Sequence, residues 1–505
     1  MNSINKYITG FVLSALMLFS TSCSEFLDVN EDPNNPVVVS EPLLLTGIIA
    51  NFTYQILAGY PVRVTSTWVQ QQSYNGALPH YGIYRVDEND VNNTWTYYSY
   101  SNAMQNCKIL SEIATTNELY DYAGIAKIIW AWNMSIVTDL YGNAPFSEAW
   151  NPDMYPRPAY DTQESIYASL QTMLDDAIAD IDRTDGLSTY VVGEDDFVYG
   201  GNMTKWKKLA YLLKARFYMR LSYAPGFNAV TQADLALAAT ANSFASNTDN
   251  ATYEYLDEAG QENPWYQYAI DGKWSTDQQM SDKFISDLLI RNDPRIYALA
   301  GFDGDGEFSG HENGVDGDTD KSPIGEYYSA ADAAVIMASY PEVKFIEAEA
   351  HLIKGDLPAA QTAYSAAVRA SFDELSDEID KKSADDDNLS GASTDVDAYL
   401  TANETLRSPL NIAYNQVMNQ KYIAMFTQFE VYNDWRRTKI PSLSAAQNAN
   451  ISSMTEPATR FPYPSAELNY NSENVNAQGV PVGFNAVTSK VWWNTAPENC
   501  TLCNN

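Results

Sequence analysis

The chain has 505 residues with 65 acidic and 30 basic side chains, which gives a formal net charge of −35. Proteins that bind nucleic acids or anionic membranes neutralise phosphates with clustered Lys and Arg, and no such cluster occurs here, so the composition disfavours these partners. Hydrophobic residues make up 45% of the chain, which predicts a large folded core rather than a disordered acidic polymer.

The amino terminus is typical of a secretory signal. Lys6 precedes a mostly apolar run over residues 8–19, which is too short to span a bilayer comfortably. Cys23 comes directly after small residues, and this arrangement resembles the lipidation site of bacterial lipoproteins. We therefore expect residues 1–22 to be a lipoprotein signal peptide and Cys23 to carry the lipid. An ordinary signal peptide with a chance cysteine is the alternative.

The next segment, residues 23–40, is acidic and is interrupted by Pro33 and Pro36, so it cannot continue a helix. We interpret it as a tether that leads to a single folded domain over residues 41–505. Helical periodicity dominates this domain and predicts a mainly α fold. The ranges with that periodicity are 95–141, 161–222 and 341–432.

Several helices carry individual signals. Asp161-Thr-Gln-Glu164 is typical of a capping box, and apolar residues follow it at spacings of three and four up to Ile181. The same spacing recurs from Met203 to Leu221. Residues 122–140 are apolar nearly all round, which indicates a helix buried between others.

One segment shows the pattern of a tetratricopeptide (TPR) repeat. A helix is predicted to stop at Gly355, and the next helix presents Ala360, Tyr364 and Ala367. Small residues at a close helix crossing, with one aromatic between them, are the packing signature of such a unit. Together with the other helical ranges, this segment suggests several TPR-like units, and we expect an irregular tail from residue 450.

Three insertions, over 62–100, 225–280 and 300–330, show no sustained helical period, and loops of this length are usually functional or disordered. Aromatic rings can stack on sugar rings while neighbouring amides and carboxylates bond the hydroxyls. The alternative is that most of these rings only pack the loops onto the helices. The residues that we expect to contact a ligand are Tyr81, Tyr84, Trp95, Tyr255, Trp265, Tyr266 and Trp274.

The third insertion contains carboxylates at alternating positions, as calcium loops do. Neither stretch completes an EF-hand, because Phe308 and Lys321 stand where that loop needs its glycine. A structural calcium ion is one interpretation, and a flexible acidic surface loop is the other; no further cofactor is expected. The candidate metal ligands are Asp303, Asp305, Asp316, Asp318 and Asp320.

Catalytic signatures are missing from the sequence. It contains no GxSxG elbow, HExxH motif, phosphate-binding loop or Rossmann fingerprint. A glycosidase needs only two carboxylates, so a surface hydrolase stays open as an alternative. The pair Cys500 and Cys503 lacks the second pair that a zinc site needs, which leaves a terminal disulfide or two free thiols.

These features occur together with a series of motifs that resembles the SusD/RagB family of outer-membrane lipoproteins of Bacteroidetes, and within it the SusD-like 2 branch. The motifs follow the family order from about residue 23 to 470. They are Cys23, Asp28-Val-Asn-Glu-Asp-Pro-Asn34, Asp139-Leu-Tyr-Gly-Asn-Ala-Pro145-Phe-Ser-Glu148-Ala149, Asn292-Asp-Pro-Arg295, the helix 340–350, Gln420-Lys-Tyr422, Asn433-Asp-Trp-Arg-Arg437-Thr-Lys-Ile-Pro441 and Arg460-Phe-Pro-Tyr-Pro464-Ser-Ala-Glu467.

The resemblance implies a superhelical body of about four TPR-like helix pairs, and a lipid-anchored protein at the cell surface that is not an enzyme. It would capture oligosaccharides and deliver them to a SusC-like TonB-dependent transporter in the outer membrane. Peptide capture by the same architecture is the runner-up, and a TPR scaffold without a small ligand is a further alternative. The family's ligand residues do not transfer, because the ligand loops vary. We expect the motifs at 433–437 and 141–143 to be structural.

Overall fold

The computed structural model describes residues 39–78, 80–186, 191–271, 278–317, 319–386, 390–494 and 499–503. The predicted signal peptide, Cys23, Trp274 and Asp318 lie outside the described residues, as does nearly all of the predicted tether. The predictions for those positions are therefore not addressed by the fold.

Helices dominate, as the periodicity predicted. The α-helices are α1 (Glu41–Asn51), α2 (Tyr60–Trp68), α3 (Gln105–Thr116), α4 (Tyr120–Tyr141), α5 (Gln163–Ile181), α6 (Met203–Arg220), α7 (Ala229–Thr240), α8 (Pro264–Ala269), α9 (Asp282–Arg291), α10 (Ile296–Leu299), α11 (Glu326–Ser329), α12 (Tyr340–Ile353), α13 (Leu357–Ser383), α14 (Val396–Asn403), α15 (Leu410–Ala424), α16 (Glu430–Thr438), α17 (Ser465–Tyr470) and α18 (Ser472–Asn476). Two π-helices, π1 (Phe52–Leu57) and π2 (Thr94–Met104), and 3₁₀ turns at Tyr81–Ile83, Asn247–Asp249, Gly483–Thr488 and Trp492–Asn494 complete the helical elements.

The long helices stack in an array of the TPR type. Helices α3 to α7 each pack on the next in chain order, and α12 continues the array by packing on α7, α13 and α15. Helix α4 is buried along almost its whole length, which confirms the prediction from its apolar sequence. Gly355 has φ +78°, and Ala360 and Tyr364 are fully buried between α12 and α13. The predicted TPR-like fold is therefore confirmed.

Helix α5 begins one residue later than the predicted capping box requires. Thr162 is the N-cap, and its hydroxyl accepts the Ser165 N–H at 3.2 Å. Asp161 lies outside the helix, where its carboxylate accepts the N–H groups of Phe146 and Ser147. The prediction that Asp161 opens the helix was wrong, because this carboxylate holds the preceding loop instead.

The insertions contain more helix than their composition indicated. Helix α7 lies within 225–280, and it belongs to the stacked array because Ala233, Ala236 and Ala239 are buried against its neighbours. The range 62–100 overlaps α2 and π2. A π-helix has no 3.6-residue period, so an apolar pattern could not reveal π2. The range 300–330 is irregular apart from α11.

Short strands join the three insertions to one another. Strand β1 (Gln72–Tyr74) pairs antiparallel with β3 (Gln278–Met280), with Ser73 opposite Gln279. His311, from the third insertion, forms a bridge with Ser281 at the end of β3. The second pair, β2 (Ala251–Tyr253) with β4 (Val335–Ala338), is also antiparallel. The insertions therefore form one continuous layer on the helical array.

Helices α1 and α2 together with π1 are apolar enough to pass a test for a membrane span on length and composition. The segment runs over Glu41–Trp68, and half of its most apolar window is buried inside the protein. Leu45, Ile48 and Phe52 are fully buried in the core. This segment serves as a core element of the fold.

A network of buried ion pairs holds the helices of the array together. Arg220 on α6 donates to Asp139 on α4 at 2.5 Å and also to Glu430 on α16. Arg216, one turn earlier on α6, forms two parallel bonds to Glu342 at 2.8 and 2.7 Å. Parallel charge-assisted bonds of this kind are among the strongest in proteins.

The conspicuous motif at 433–437 belongs to this network. Arg437 donates to Glu349 and Asp434, and Arg436 donates to the carbonyl oxygen of Asp139 at 2.6 Å. Helix α16 is thereby fastened to α4 and α12, which agrees with the structural role expected for the motif. Gly142, at φ +83°, forms the turn that ends α4, as expected for 141–143.

The carboxyl-terminal tail has little regular structure beyond α17, α18 and the 3₁₀ turns, as predicted. Cys500 and Cys503 form a disulfide, which decides between the two expected states. Cys107 is a buried free thiol on α3, and burial raises its pKa far above its usual range. An uncharged, buried thiol of this kind is inert.

Candidate ligand-binding groove

A groove lies where π1 meets the first two insertions. It consists of two adjoining cavities of about 610 and 330 Å³, which share Tyr54 and Gln55 in their walls. The larger cavity is lined by Ala50, Asn51, Tyr54, Gln55, Phe197, Tyr253, Glu254, Tyr255, Leu256, Gly260 and Gln261. The smaller is lined by Tyr54, Gln55, Tyr60, Arg63, Asp90, Asn93, Thr94, Tyr98 and Tyr268.

The two π-helices build the floor of this groove. They pack side by side, and π1 turns Phe52 and Ile56 into the core while Tyr54 and Gln55 face the groove. The chain leaves π1 through Gly59, where a Cβ would stand 2.1 Å from the carbonyl oxygen of Gln55. Only glycine, which has no Cβ, fits this close approach of the backbone. The approach allows α2 to begin at the next residue. Functional sites are frequent at π-helical turns.

The larger cavity is walled by aromatic rings from β2 and its following loop. The rings of Tyr253 and Tyr255 lie 4.9 Å apart, and Phe197 contacts Tyr253 edge-on at 6.1 Å. Phe197 is 50% exposed and Leu256 is 51% exposed at this end of the groove. This end of the groove therefore offers apolar surface that a ligand can cover.

The hydroxyl of Tyr255 is a polar group without a protein partner. Its oxygen is buried and makes no hydrogen bond with the described residues, and burial raises its pKa far above the usual range, so it stays protonated. A buried hydroxyl in this state costs stability unless a partner satisfies it. The oxygen is closed to water in this conformation, so a ligand in the cavity can be that partner once the side chain turns toward it.

The smaller cavity combines tyrosines with two charged groups. Tyr54 donates its hydroxyl to Gln267 at 2.7 Å, and burial raises the pKa of Tyr54 to about 12. The guanidinium of Arg63 lies 3.5 Å from the centre of the Tyr268 ring. Asp90 accepts the Asp87 N–H at 2.9 Å, and burial raises its pKa. Neutral phenols, amides and a stacked cation thus face the same space.

The structure does not bring the predicted ligand residues together at one site. Tyr255 lines the groove. Tyr84 and Trp265 are 1% and 2% exposed, and the Tyr84 hydroxyl accepts the Ala446 N–H, so both rings serve the interior. Tyr266 is partly buried beside the groove residue Tyr268, and Tyr81 packs its ring 4.6 Å from Tyr74.

Trp95 belongs to a different cavity. Its ring is 3% exposed and packs at 4.8 Å on Tyr141. It lines a space of about 210 Å³ with Tyr100 and the 78%-exposed Tyr470, on the other side of π2. The structure therefore does not bring Trp95 together with Tyr255.

Several groove residues were not predicted from the sequence. Tyr54 and Gln55 lie in an apolar segment whose pattern indicates core. Phe197 is an isolated aromatic in a loop between α5 and α6, and Arg63 is a single basic residue without a motif. Only the aromatic content of 225–280 pointed to this place.

The candidate calcium ligands hold their own loop. Asp303 accepts the N–H groups of Asp305 and Glu307 at 3.1 and 2.9 Å, and Asp320 accepts the Gly304 N–H at 3.0 Å. Within the described residues, no group of three or more His, Cys, Asp or Glu side chains is placed to hold a metal ion. Asp316 therefore has no ligand set to join, and calcium binding stays a prediction without geometric support.

Comparisons with known proteins agree on one family. The family model SusD-like_2, described as "Starch-binding associating with outer membrane", matches residues 33–464. No curated protein matches the sequence. A SusD/RagB family protein from Bacteroides thetaiotaomicron has a similar solved structure, at 24% identity and a TM-score of 0.74, covering 91% of this chain and 99% of that one.

Two further solved structures are similar. A SusD homolog from Bacteroides fragilis is 21% identical with a TM-score of 0.73, covering 90% of this chain and all (100%) of that one. A chitin-binding SusD homolog from Flavobacterium johnsoniae is 22% identical with a TM-score of 0.70, covering 90% of this chain and 99% of that one. At such identities the structures establish a shared fold.

Proposed function

The chain belongs to the SusD-like family of starch-binding, outer-membrane-associated proteins, and from this membership we propose that it captures oligosaccharides at the groove between π1 and the first two insertions. The observation that carries the proposal is the aromatic wall formed by Tyr253, Tyr255 and Phe197, in which the Phe197 ring is half exposed. Aromatic faces bind sugar rings, and the neighbouring Asn51, Gln55 and Gln261 supply amides for the hydroxyls.

The proposal includes no chemical step. The protein binds an oligomer and releases it unchanged, as a binding protein of nutrient uptake. It would pass the oligomer to a SusC-like TonB-dependent transporter, the partner implied by the family resemblance. Deletion of the gene should then abolish growth on the captured glycan, and the transporter should copurify with the protein from outer membranes.

Calorimetry with a panel of glycans and peptides tests the binding. We expect one class of glycan to bind, and Phe197→Ala to weaken its binding about tenfold, because half of this ring is exposed to the cavity. Tyr470→Ala is the matched control: this ring is 78% exposed but lies outside the groove, so affinity should not change.

Other outcomes would redirect the assignment. Binding of peptides alone would replace oligosaccharide by peptide capture. Cleavage of a glycan by the purified protein, abolished by loss of one carboxylate, would replace capture by hydrolysis. Absence of any ligand, together with normal nutrient uptake after deletion, would favour a scaffold.

We also propose that acyl chains on Cys23 fix the protein to the outer membrane with the groove exposed at the cell surface. Several acyl chains give a stable anchor where a single chain is marginal. The variant Cys23→Ser should yield a folded protein in the soluble periplasmic fraction. Retention of this variant in the membrane would exclude Cys23 as the anchor.

A further inference from the structure

Arg63 has an unusual position for an arginine of this protein. It is partly buried in the wall of the smaller cavity, stacked on the nearly buried ring of Tyr268 and 5.9 Å from the centre of the Tyr60 ring. Among the described residues, it is the one basic side chain that lines either part of the groove. Its helix begins immediately after Gly59, so its position is fixed by the same close approach that shapes π1.

The guanidinium of Arg63 has no acceptor within the described parts of the chain. It forms no ion pair, and its buried Nε has no hydrogen-bond partner. Other buried arginines of the described residues donate to backbone carbonyl oxygens where no carboxylate is in reach. Arg436 also has a buried Nε without a partner, but its Nη1 donates to the carbonyl oxygens of Asp139 and Thr459, and Arg460 donates to that of Phe461. Arg63 is the one arginine among the described residues that line the groove, and its Nη groups have no protein acceptor there, so acceptors for them must come from a ligand or from water.

The two acids that line the groove, Asp90 and Glu254, form no ion pair with it. Asp90 forms no ion pair with Arg63 and accepts a hydrogen bond within its own turn. Glu254, in the other cavity, is exposed, and an exposed charge is screened by salt over about 8 Å. A ligand that covers Arg63 therefore takes an uncompensated cation further out of water, which is costly unless the ligand brings the opposite charge.

We infer that Arg63 selects an acidic oligosaccharide, by binding the carboxylate of a uronic acid residue that lies in the smaller cavity while the aromatic wall of the larger one holds neighbouring sugars. A planar guanidinium can give a carboxylate two parallel hydrogen bonds, which a lone hydroxyl cannot accept. Stacking on Tyr268 holds the plane in place before the ligand arrives. This inference rests on the proposed function and adds the chemical class of the glycan.

Calorimetry with matched ligands tests it. Short oligomers of galacturonate, mannuronate and glucuronate are each compared with the same oligomer after its carboxyl groups have been reduced to alcohols. We expect one acidic oligomer to bind at least about tenfold more tightly than its reduced form, and this advantage to shrink as salt is raised.

Variants assign the advantage to Arg63. Arg63→Gln should remove the advantage, so that the acidic oligomer and its reduced form bind within about twofold of each other, whereas Arg63→Lys should retain part of it, since the charge remains and the second parallel bond is lost. Arg407→Gln, an exposed arginine outside the groove, is the control and should change neither affinity. Thermal unfolding of each variant shows that the fold is intact.

The results separate this inference from the proposed function. Equal affinity for an acidic oligomer and its reduced form, or an equal loss of both in Arg63→Gln, overturns the role of Arg63 while oligosaccharide capture stands. Binding of acidic peptides but of no glycan overturns both. Failure of every glycan, neutral or acidic, to bind overturns both as well.

Discussion

The two regions of the molecule that carry polar groups differ in how those groups are satisfied. Between the helices, Asp139, Arg216, Arg220 and Glu430 are buried and each has a partner of opposite charge. In the groove, the Tyr255 hydroxyl and the Arg63 guanidinium have no partner among the described residues. The paired charges between the helices hold the fold together, whereas Arg63 in the groove has no paired carboxylate among the described residues and can meet a ligand.

This difference explains why we assign the conspicuous motif to the fold and the groove to the proposed function. Asn433-Asp-Trp-Arg-Arg437 has the composition of a catalytic or binding cluster, yet its charges are buried and paired within the array. The groove residues, by contrast, form no motif. An enrichment in charge along a helix therefore indicates an interlocked core here, and the sparse polar groups among aromatic rings line the candidate ligand site.

The largest expected effect is a loss of stability when the buried ion-pair network between the helices is broken. Arg220→Met leaves the carboxylates of Asp139 and Glu430 buried without this cation, and breaking such a network costs about 3–5 kcal/mol in the free energy of unfolding. Urea unfolding measures the loss. Lys108→Met, which breaks the exposed pair with Glu112, should cost about 0.5 kcal/mol or less.

Ligand binding sharpens this test. Under conditions in which Arg220→Met remains folded, its affinity for the glycan should equal that of the wild type, because the network does not reach the groove. A stability loss as small as that of Lys108→Met would contradict the structural role of the network.

The second prediction concerns Glu374, a carboxylate that forms no ion pair with the described residues and that makes stability depend on pH. Glu374 on α13 lies near Tyr327 and Tyr328 of α11, and burial raises its pKa to about 7. Because the pKa is higher in the folded state than in the unfolded chain, folding favours the protonated form. The folded state is therefore penalised progressively as the pH rises through the window from about 4 to 7.

Glu374→Gln removes this penalty. The variant should be more stable than the wild type by roughly 2 kcal/mol at pH 8, and the gain should vanish below about pH 4. Urea unfolding across this pH range checks the prediction. A gain that does not depend on pH would show that packing, and not ionisation, explains the effect of the substitution.

The sequence could predict the fold more fully than the groove. Gly355 and the small residues after it report local packing between consecutive helices, so their spacing alone indicated a TPR unit. The groove depends on contacts between distant segments. Tyr54 reaches it because π1 adds a residue to its turn, and Arg63 becomes a ligand candidate only through its stacking on Tyr268. Neither relation leaves a periodic signal in the sequence.

The aromatic residues also show that the sequence alone does not identify the residues of the groove. Tyr84 and Tyr255 both stand in Tyr-rich insertions and were equally good candidates from sequence. The structure buries both rings, and the difference lies in a single hydrogen bond: Tyr84 accepts the Ala446 N–H at 2.7 Å, while Tyr255 has an unpartnered hydroxyl beside the groove. Composition cannot predict whether such a bond exists, because the partner of Tyr84 comes from a remote loop.

This matched pair gives the smallest and most discriminating prediction. Tyr84→Phe leaves the Ala446 N–H without its acceptor, so it should lower the free energy of unfolding by about 1 kcal/mol and leave glycan affinity unchanged. Tyr255→Phe removes a hydroxyl that is already unsatisfied, so it should leave stability unchanged or slightly higher. It should also weaken glycan binding by about 1 kcal/mol, since the bound ligand loses its partner.

Thermal unfolding and calorimetry on both variants measure the stability and the glycan affinity of each. If Tyr255→Phe instead lowers stability and spares affinity, its hydroxyl belongs to the fold like that of Tyr84, and the contrast between completed and incomplete polar groups no longer identifies the groove as the ligand site.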